Sequence, residues 1–222
     1  MKPKICVSLI PKTVQEAIQL VHEAEISGAD LIEIRLDDFE LTQNIQEIPQ
    51  ASKVPLIATN RNPSIQPADK LDSVINAVKK GFDYVDLDLS TPDLKTSVSK
   101  IKEIGAKCIV SYHEFNRSLS LGQLEETLNS CKSSGADVYK IITTAQQYED
   151  NLTLLNFISK VNKKSKVVSF AMGEIGKISR LLSPIFGGFF TFASLNTGAE
   201  TAPGQMSISE MKNAYATLGF ER

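Results

Sequence analysis

The chain has 222 residues, 42% hydrophobic and 23% charged, with a formal net charge of −2. That length fits one barrel-sized domain, and the near-neutral balance without a basic tract argues against nucleic-acid binding. No apolar run approaches the roughly 18 residues of a membrane span, and Met1–Ile5 leads almost directly into a strand-like run rather than a signal peptide.

Short β-rich runs alternate with longer amphipathic stretches along the chain. Ile5–Leu9 reads as a first strand, followed by a helix over Thr13–Ser27. Leu31–Leu36 and Leu56–Thr59 read as strands two and three, and Ala68–Lys80 as a helix. Tyr84–Leu89 and Cys108–His113 follow as strands four and five, then a helix over Gln123–Ser134. Val138–Ile142 is the sixth strand, Asp150–Asn162 a helix, and Val167–Ala171 and Phe189–Phe192 the last two strands. Gly28, Gly81, Gly105 and Gly135 each fall just past a helical turn, where glycine takes the left-handed cap without a Cβ penalty.

Eight strand–helix units of about 28 residues match the roughly 30-residue βαβ unit. Strict alternation implies a parallel sheet, and eight units favour closure into a (β/α)8 TIM barrel over an open sheet. No linker divides residues 1–222, so one barrel domain is expected. The phrase Ser-Gly-Ala-Asp at 27–30 and 134–137 reads as one join used twice rather than as a duplication. The three cysteines, Cys6, Cys108 and Cys131, have neither metal-ligand spacing nor an even count for a disulfide framework. Reduced thiols and a cytoplasmic location are expected.

Barrel enzymes do their chemistry at the C-terminal ends of the strands, and the unusual polar residues of this chain fall there. Glu33, Arg35 and Asp37 alternate with Ile34 and Leu36 on the second strand. Charges inside a β-run are costly unless paired or bound to something; a buried Glu–Arg pair that only holds the barrel together would look the same. Ser111 and His113 share one face of the fifth strand, and an imidazole there can move protons near neutral pH. A satisfied core histidine is the alternative. The other histidine, His22, lies among Glu23 and Glu25 and reads as solvated. Lys140 interrupts the apolar sixth strand, where burial would free its amine as a nucleophile; a snorkelling lysine or a structural ion pair competes with that reading. Arg35 and Arg61 end strands two and three, and Arg180 follows the seventh. Guanidinium forks there suit an anionic, hydroxylated ligand, whereas Arg117 and Arg222 read as solvated. The last loop, 196–205, could close over the barrel mouth or be an ordinary surface loop.

Taken in order, these segments resemble the type I 3-dehydroquinate dehydratases of the shikimate pathway. The likeness runs nearly end to end. It rests on Ile-Cys-Val-Ser at 5–8, Glu-Ile-Arg-Leu-Asp at 33–37, Thr-Asn-Arg at 59–61 and Tyr-Val-Asp-Leu-Asp-Leu at 84–89. It continues in Ser-Tyr-His-Glu-Phe at 111–115, Lys-Ile at 140–141 and Met-Gly-Glu-Ile-Gly-Lys-Ile-Ser-Arg at 172–180. Thr-Phe-Ala at 191–193 and Ala-Pro-Gly-Gln at 202–205 complete it.

The resemblance implies Lys140 as the Schiff-base lysine, His113 as the general acid and base, and Glu33 as the residue that orients His113 and helps hold substrate. It implies Arg35, Arg61 and Arg180 as substrate-binding, with Arg180 nearest the carboxylate. Ser8, Met172, Phe192, Thr201 and Gln205 match family pocket positions. It implies no metal and no cofactor, a small-molecule substrate, and a homodimer. Three departures stand out. Asp88 replaces a common Glu on the fourth strand, which leaves Asp86 and Asp88 as acids behind the substrate contacts; the loop after Arg61 lacks an acid found in many relatives, and Thr201 replaces a Ser. The rivals are a class I Schiff-base aldolase and a non-catalytic sugar-acid binder on the same fold.

Overall fold

The computed structural model describes residues 2–39 and 44–220; Arg222, read above as solvated, lies outside them. Eight strands, β1 (Ile5–Leu9), β2 (Leu31–Arg35), β3 (Leu56–Thr59), β4 (Tyr84–Asp88), β5 (Lys107–His113), β6 (Val138–Thr144), β7 (Val167–Met172) and β8 (Thr191–Ala193), alternate with helices in strict order. Each strand pairs in parallel with its sequence neighbour from β1 to β7, and β8 pairs with β1. No ladder joins β7 to β8, but Phe189 N–H donates to Val167 C=O at 2.8 Å across that seam. The result is a nearly closed (β/α)8 barrel. The eighth strand sits slightly later than its sequence pattern because Phe189 serves the seam and Thr191 begins the ladder with β1. β6 runs two residues longer than expected, since β-branched Thr143 and Thr144 stay in register with Ala171 and Met172.

The four helices read from the sequence are α1 (Val14–Ile26), α3 (Pro67–Lys79), α5 (Leu121–Lys132) and α6 (Glu149–Val161). Their starts have local causes. Thr13 caps α1 by accepting from Glu16 N–H at 3.1 Å, Pro67 opens α3, and Ser120 with Gln123 forms a capping box for α5. The remaining helices, α2 (Glu47–Ala51), α4 (Leu94–Glu103), α7 (Lys177–Leu182) and α8 (Ile208–Thr217), complete the ring. Gly28, Gly81, Gly105 and Gly135 all have positive φ, as their helix-stopping role requires.

The repeated Ser-Gly-Ala-Asp has a structural reason. Asp30 Oδ2 accepts from Ile5 N–H at 3.0 Å, and Asp137 Oδ2 accepts from Cys108 N–H at 2.9 Å. Asp83, at the same place before β4, accepts from Leu56 N–H at 2.9 Å. Each aspartate ties the lower end of one strand to the strand before it and fixes their register.

Side-chain parity then divides the barrel. Ile32, Ile34, Ala58, Val85 and Val110 face the helices, while Leu31, Ile57, Ile109, Val138 and Val168 fill the lower interior. One step further along the same interior rows come Glu33, Thr59, Asp86, Ser111, Lys140 and Phe170. The apolar floor thus gives way to a polar layer below the mouth, where the fold places its site.

Candidate active site

A cavity of about 460 Å³ opens at the C-terminal end of the barrel, within the usual size for small-molecule sites. Its base is Lys140, only 7% exposed. The ammonium donates to Asp86 Oδ2 at 3.0 Å, lies 3.9 Å from Glu33 Oε1, and sits 4.2 Å from the centre of the Phe192 ring. The ion-pair alternative from the sequence is therefore part of the answer: the lysine is buried and paired, and it still faces the cavity.

Glu33 is 4% exposed and holds its two oxygens to separate hydroxyls. Ser8 Oγ donates to Oε2, and Thr59 Oγ1 donates to Oε1 at 2.9 Å. Ser8, expected at the pocket, does not line the cavity; its one hydroxyl proton is given to Glu33. Glu33 makes no hydrogen bond to His113 among the described residues. The imidazole instead stacks on Phe115, with ring centres 5.9 Å apart.

His113 lies at the cavity wall, two residues beyond Ser111, which is in register with Lys140. Burial, then the Lys140 and Arg61 cations, push its pKa down to about 3 against the pull of Asp86 and Asp88. The imidazole is neutral at physiological pH, and burial with the neighbouring cations opposes its protonation in the free protein. Asp86 behaves oppositely. Burial pushes its pKa up, but Lys140 and Arg61 outweigh that and hold it well below the ordinary carboxylate value.

The three arginines differ in how their charge is met. Arg35 donates through Nε and Nη2 to Asp37 at 2.7 and 3.0 Å. Arg61 Nη2 donates to Asp86 Oδ1 at 2.6 Å and to Ser111 Oγ, and its Nη1 lies 3.9 Å from Asp88. Arg180 has no carboxylate partner among the described residues. It is 1% exposed, its guanidinium lies 4.3 Å from the Phe170 ring centre, and its buried Nε has no hydrogen-bond partner. Burial alone lowers its pKa to about 9, so it remains charged at neutral pH.

Thr201, Ala202, Pro203 and Gln205 roof the cavity. Pro203 C=O accepts from Gly173 N–H at 3.1 Å and from Arg180 Nη2 at 3.2 Å. Gln205 Oε1 accepts from Thr201 N–H at 2.6 Å. Gly204 has φ of +69°, and a Cβ there would collide with the Gly173 carbonyl, so only glycine lets the loop lie this close. Met172 and Phe192 complete the apolar wall. Arg117 is exposed and lies 3.6 Å from Glu114, away from the cavity, and His22 is exposed.

Six further wall residues, Thr59, Phe115, Ile142, Phe170, Ala202 and Pro203, had been given no role from the sequence. Strand parity could have found three of them, since Thr59 follows Ile57, Ile142 follows Lys140 and Phe170 precedes Met172 by two.

The family model for type I 3-dehydroquinase matches residues 5–221. The chain belongs to that family. A 3-dehydroquinate dehydratase from Dehalococcoides mccartyi is 35% identical over 199 residues, covering 87% of this chain and 88% of that one. One from Coxiella burnetii is 34% identical over 221 residues, covering 96% and 92%. Among solved structures, the type I 3-dehydroquinate dehydratase from Clostridium difficile, determined with covalently modified comenic acid, superposes with a TM-score of 0.88. It is 27% identical, and the match covers 99% of this chain and 93% of that one.

Proposed function

We propose that the chain is a hydro-lyase that converts 3-dehydroquinate to 3-dehydroshikimate and water through a Schiff base on Lys140, a step of the shikimate pathway of aromatic amino-acid biosynthesis. The observation that carries this reading is the buried Lys140 facing a cavity whose wall also holds a neutral imidazole. Membership of the type I 3-dehydroquinase family supports it.

The substrate has a ketone at C3, a hydroxyl and a carboxylate at C1, and a methylene at C2 between them. The Lys140 ammonium gives up a proton and its lone pair attacks C3. The carbonyl oxygen leaves as water, forming an iminium. His113 takes a C2 proton, and the C–H electron pair moves into the ring to give an enamine. The enamine pair then returns towards C1 and expels the hydroxyl, which takes the proton from His113 and departs as water. A water molecule adds to the iminium carbon with His113 assisting, the C–N bond breaks, and ketone and amine are regenerated. One imidazole on one wall serves both proton transfers.

Arg180 supplies the anion site. A buried guanidinium without a carboxylate partner meets a ligand carboxylate at little further desolvation cost. Arg35 and Arg61, already neutralised, offer N–H groups to uncharged hydroxyls. A class I aldolase would need the same lysine, but this combination of neutral His113 and lone Arg180 suits a carboxylated ketone. All three cysteines are buried and free, in keeping with a cytoplasmic enzyme. We take it as a homodimer on family resemblance, which light scattering on the purified chain will decide.

Borohydride added during turnover of 3-dehydroquinate should leave a stable adduct on the peptide containing Lys140. Lys140→Ala should form no adduct and lose activity by on the order of 10⁴-fold or more. Full activity in that variant would end the Schiff-base reading.

A further inference from the structure

The surroundings of the Lys140 nitrogen are built for a lasting positive charge. Asp86 lies at 3.0 Å, Glu33 at 3.9 Å, and the Phe192 ring face at 4.2 Å. Each of the three favours a cation there. The Asp86 side chain is fully buried, and its oxygens are divided between Nζ and the Arg61 guanidinium, which donates at 2.6 Å. Arg61 therefore fixes how the carboxylate is turned towards the lysine.

We propose that Asp86 is a catalytic residue, the counter-ion that holds the remaining N–H of the Lys140 iminium and keeps the Schiff base protonated during elimination. The inference rests on the Schiff-base reading above. An ammonium has three N–H donors, so Asp86 and Glu33 can both draw on it. An iminium nitrogen is planar and bonded to Cε and to the substrate carbon, which leaves one N–H. That single donor can serve one carboxylate. Asp86 is nearer, while the oxygens of Glu33 already take the hydroxyls of Ser8 and Thr59. The protonated imine is the electron sink that makes C2 acidic; a neutral imine is a much weaker one. A fixed carboxylate beside it stabilises charge that persists through the elimination without reorganising.

A structural ion pair would predict a different pattern. If Asp86 only neutralised a buried lysine, its removal would affect folding and imine formation, not the protonation of the imine afterwards. The test is Asp86→Asn in the full chain with 3-dehydroquinate in D₂O. Adduct formation on Lys140 is followed by borohydride trapping and mass, C2 exchange by NMR, and turnover by absorbance. The expected result is an adduct still formed, KM within about threefold of the parent, and exchange and turnover both down by roughly 10²- to 10³-fold.

Formation of the adduct shows that the variant is folded. Exchange and turnover within threefold of the parent overturn the proposal, as does loss of the adduct in a variant that still unfolds cooperatively. If Asp86→Asn does not fold, Asp86→Glu decides the matter, since it keeps the charge. It should retain C2 exchange at about a tenth of the parent rate, and an adduct without exchange overturns the proposal. Failure of the parent protein itself to form an adduct refutes the Schiff-base reading instead.

Discussion

On the β2–β6 side of the pocket every described cation has a carboxylate partner, whereas on the β7–β8 side Arg180 has none. The first side is complete in the free protein. Lys140, Asp86, Arg61, Ser111, Glu33, Thr59 and Ser8 form one connected set of hydrogen bonds and ion pairs. The second side is incomplete. A guanidinium lies against Phe170 under a loop and, among the described residues, bonds only to the carbonyl of Pro203. Burying an unmatched charge costs several kcal/mol, and such a group is explained most simply by a ligand that brings the missing anion. One side holds the reacting groups in place; the other selects what reacts.

The largest effect that tests this division is on the side that reacts. His113→Ala should lower turnover by about 10³-fold, because both proton transfers lose their carrier. Borohydride should still trap the Lys140 adduct, since attack on the ketone needs the amine and its surroundings rather than the imidazole. Unchanged turnover would move the proton-transfer role to another residue.

Arg180→Met probes the selecting side and should separate function from stability. The value of kcat/KM for 3-dehydroquinate should fall by roughly 10²-fold as the carboxylate loses its partner. The ligand-free protein should become more stable by roughly 1–3 kcal/mol, because an unmatched buried charge is replaced by an apolar side chain. Denaturant unfolding without ligand measures this. A destabilised variant with normal kcat/KM would make Arg180 a structural residue that holds the loop through Pro203.

The two sides were unequally legible in the sequence. Strand periodicity placed the strands, and the inward rows showed as alternating charges at Glu33 and Arg35 on β2, as Ser111 and His113 on β5 and as a single Lys140 on β6. Lys140 and His113 stood out because a cation and an imidazole interrupt apolar strands. What periodicity could not show is who pairs with whom. Asp86 and Lys140 are 54 positions apart, and only barrel closure brings them to 3.0 Å. Glu33 was expected to orient His113, yet its oxygens go to Ser8 and Thr59, because the β1–β2–β3 register puts those hydroxyls beside it. The seat of the 201–205 loop on Gly173 was also out of reach, since it depends on a backbone contact that Gly204 permits by lacking a side chain.

The smallest predicted effect concerns the pH dependence of folding and bears again on the reacting side. The His113 pKa falls from 6.5 in the unfolded chain to about 3 in the fold. Between those values the unfolded chain binds the proton and the folded one does not. Acidification therefore favours unfolding, and the stabilisation present above pH 6.5 is lost progressively towards pH 3. Asp86, whose pKa is also held low, contributes only below its ordinary value of 3.8, so the interval from pH 7 to pH 5 isolates the imidazole. Over that interval the unfolding free energy should drop by about 1 kcal/mol, roughly half the full linkage value because the ring retains some contact with solvent. His113→Gln should flatten that part of the profile while leaving the steeper loss below pH 4. A slope that survives the substitution would mean that other groups carry it and that burial does not depress the imidazole.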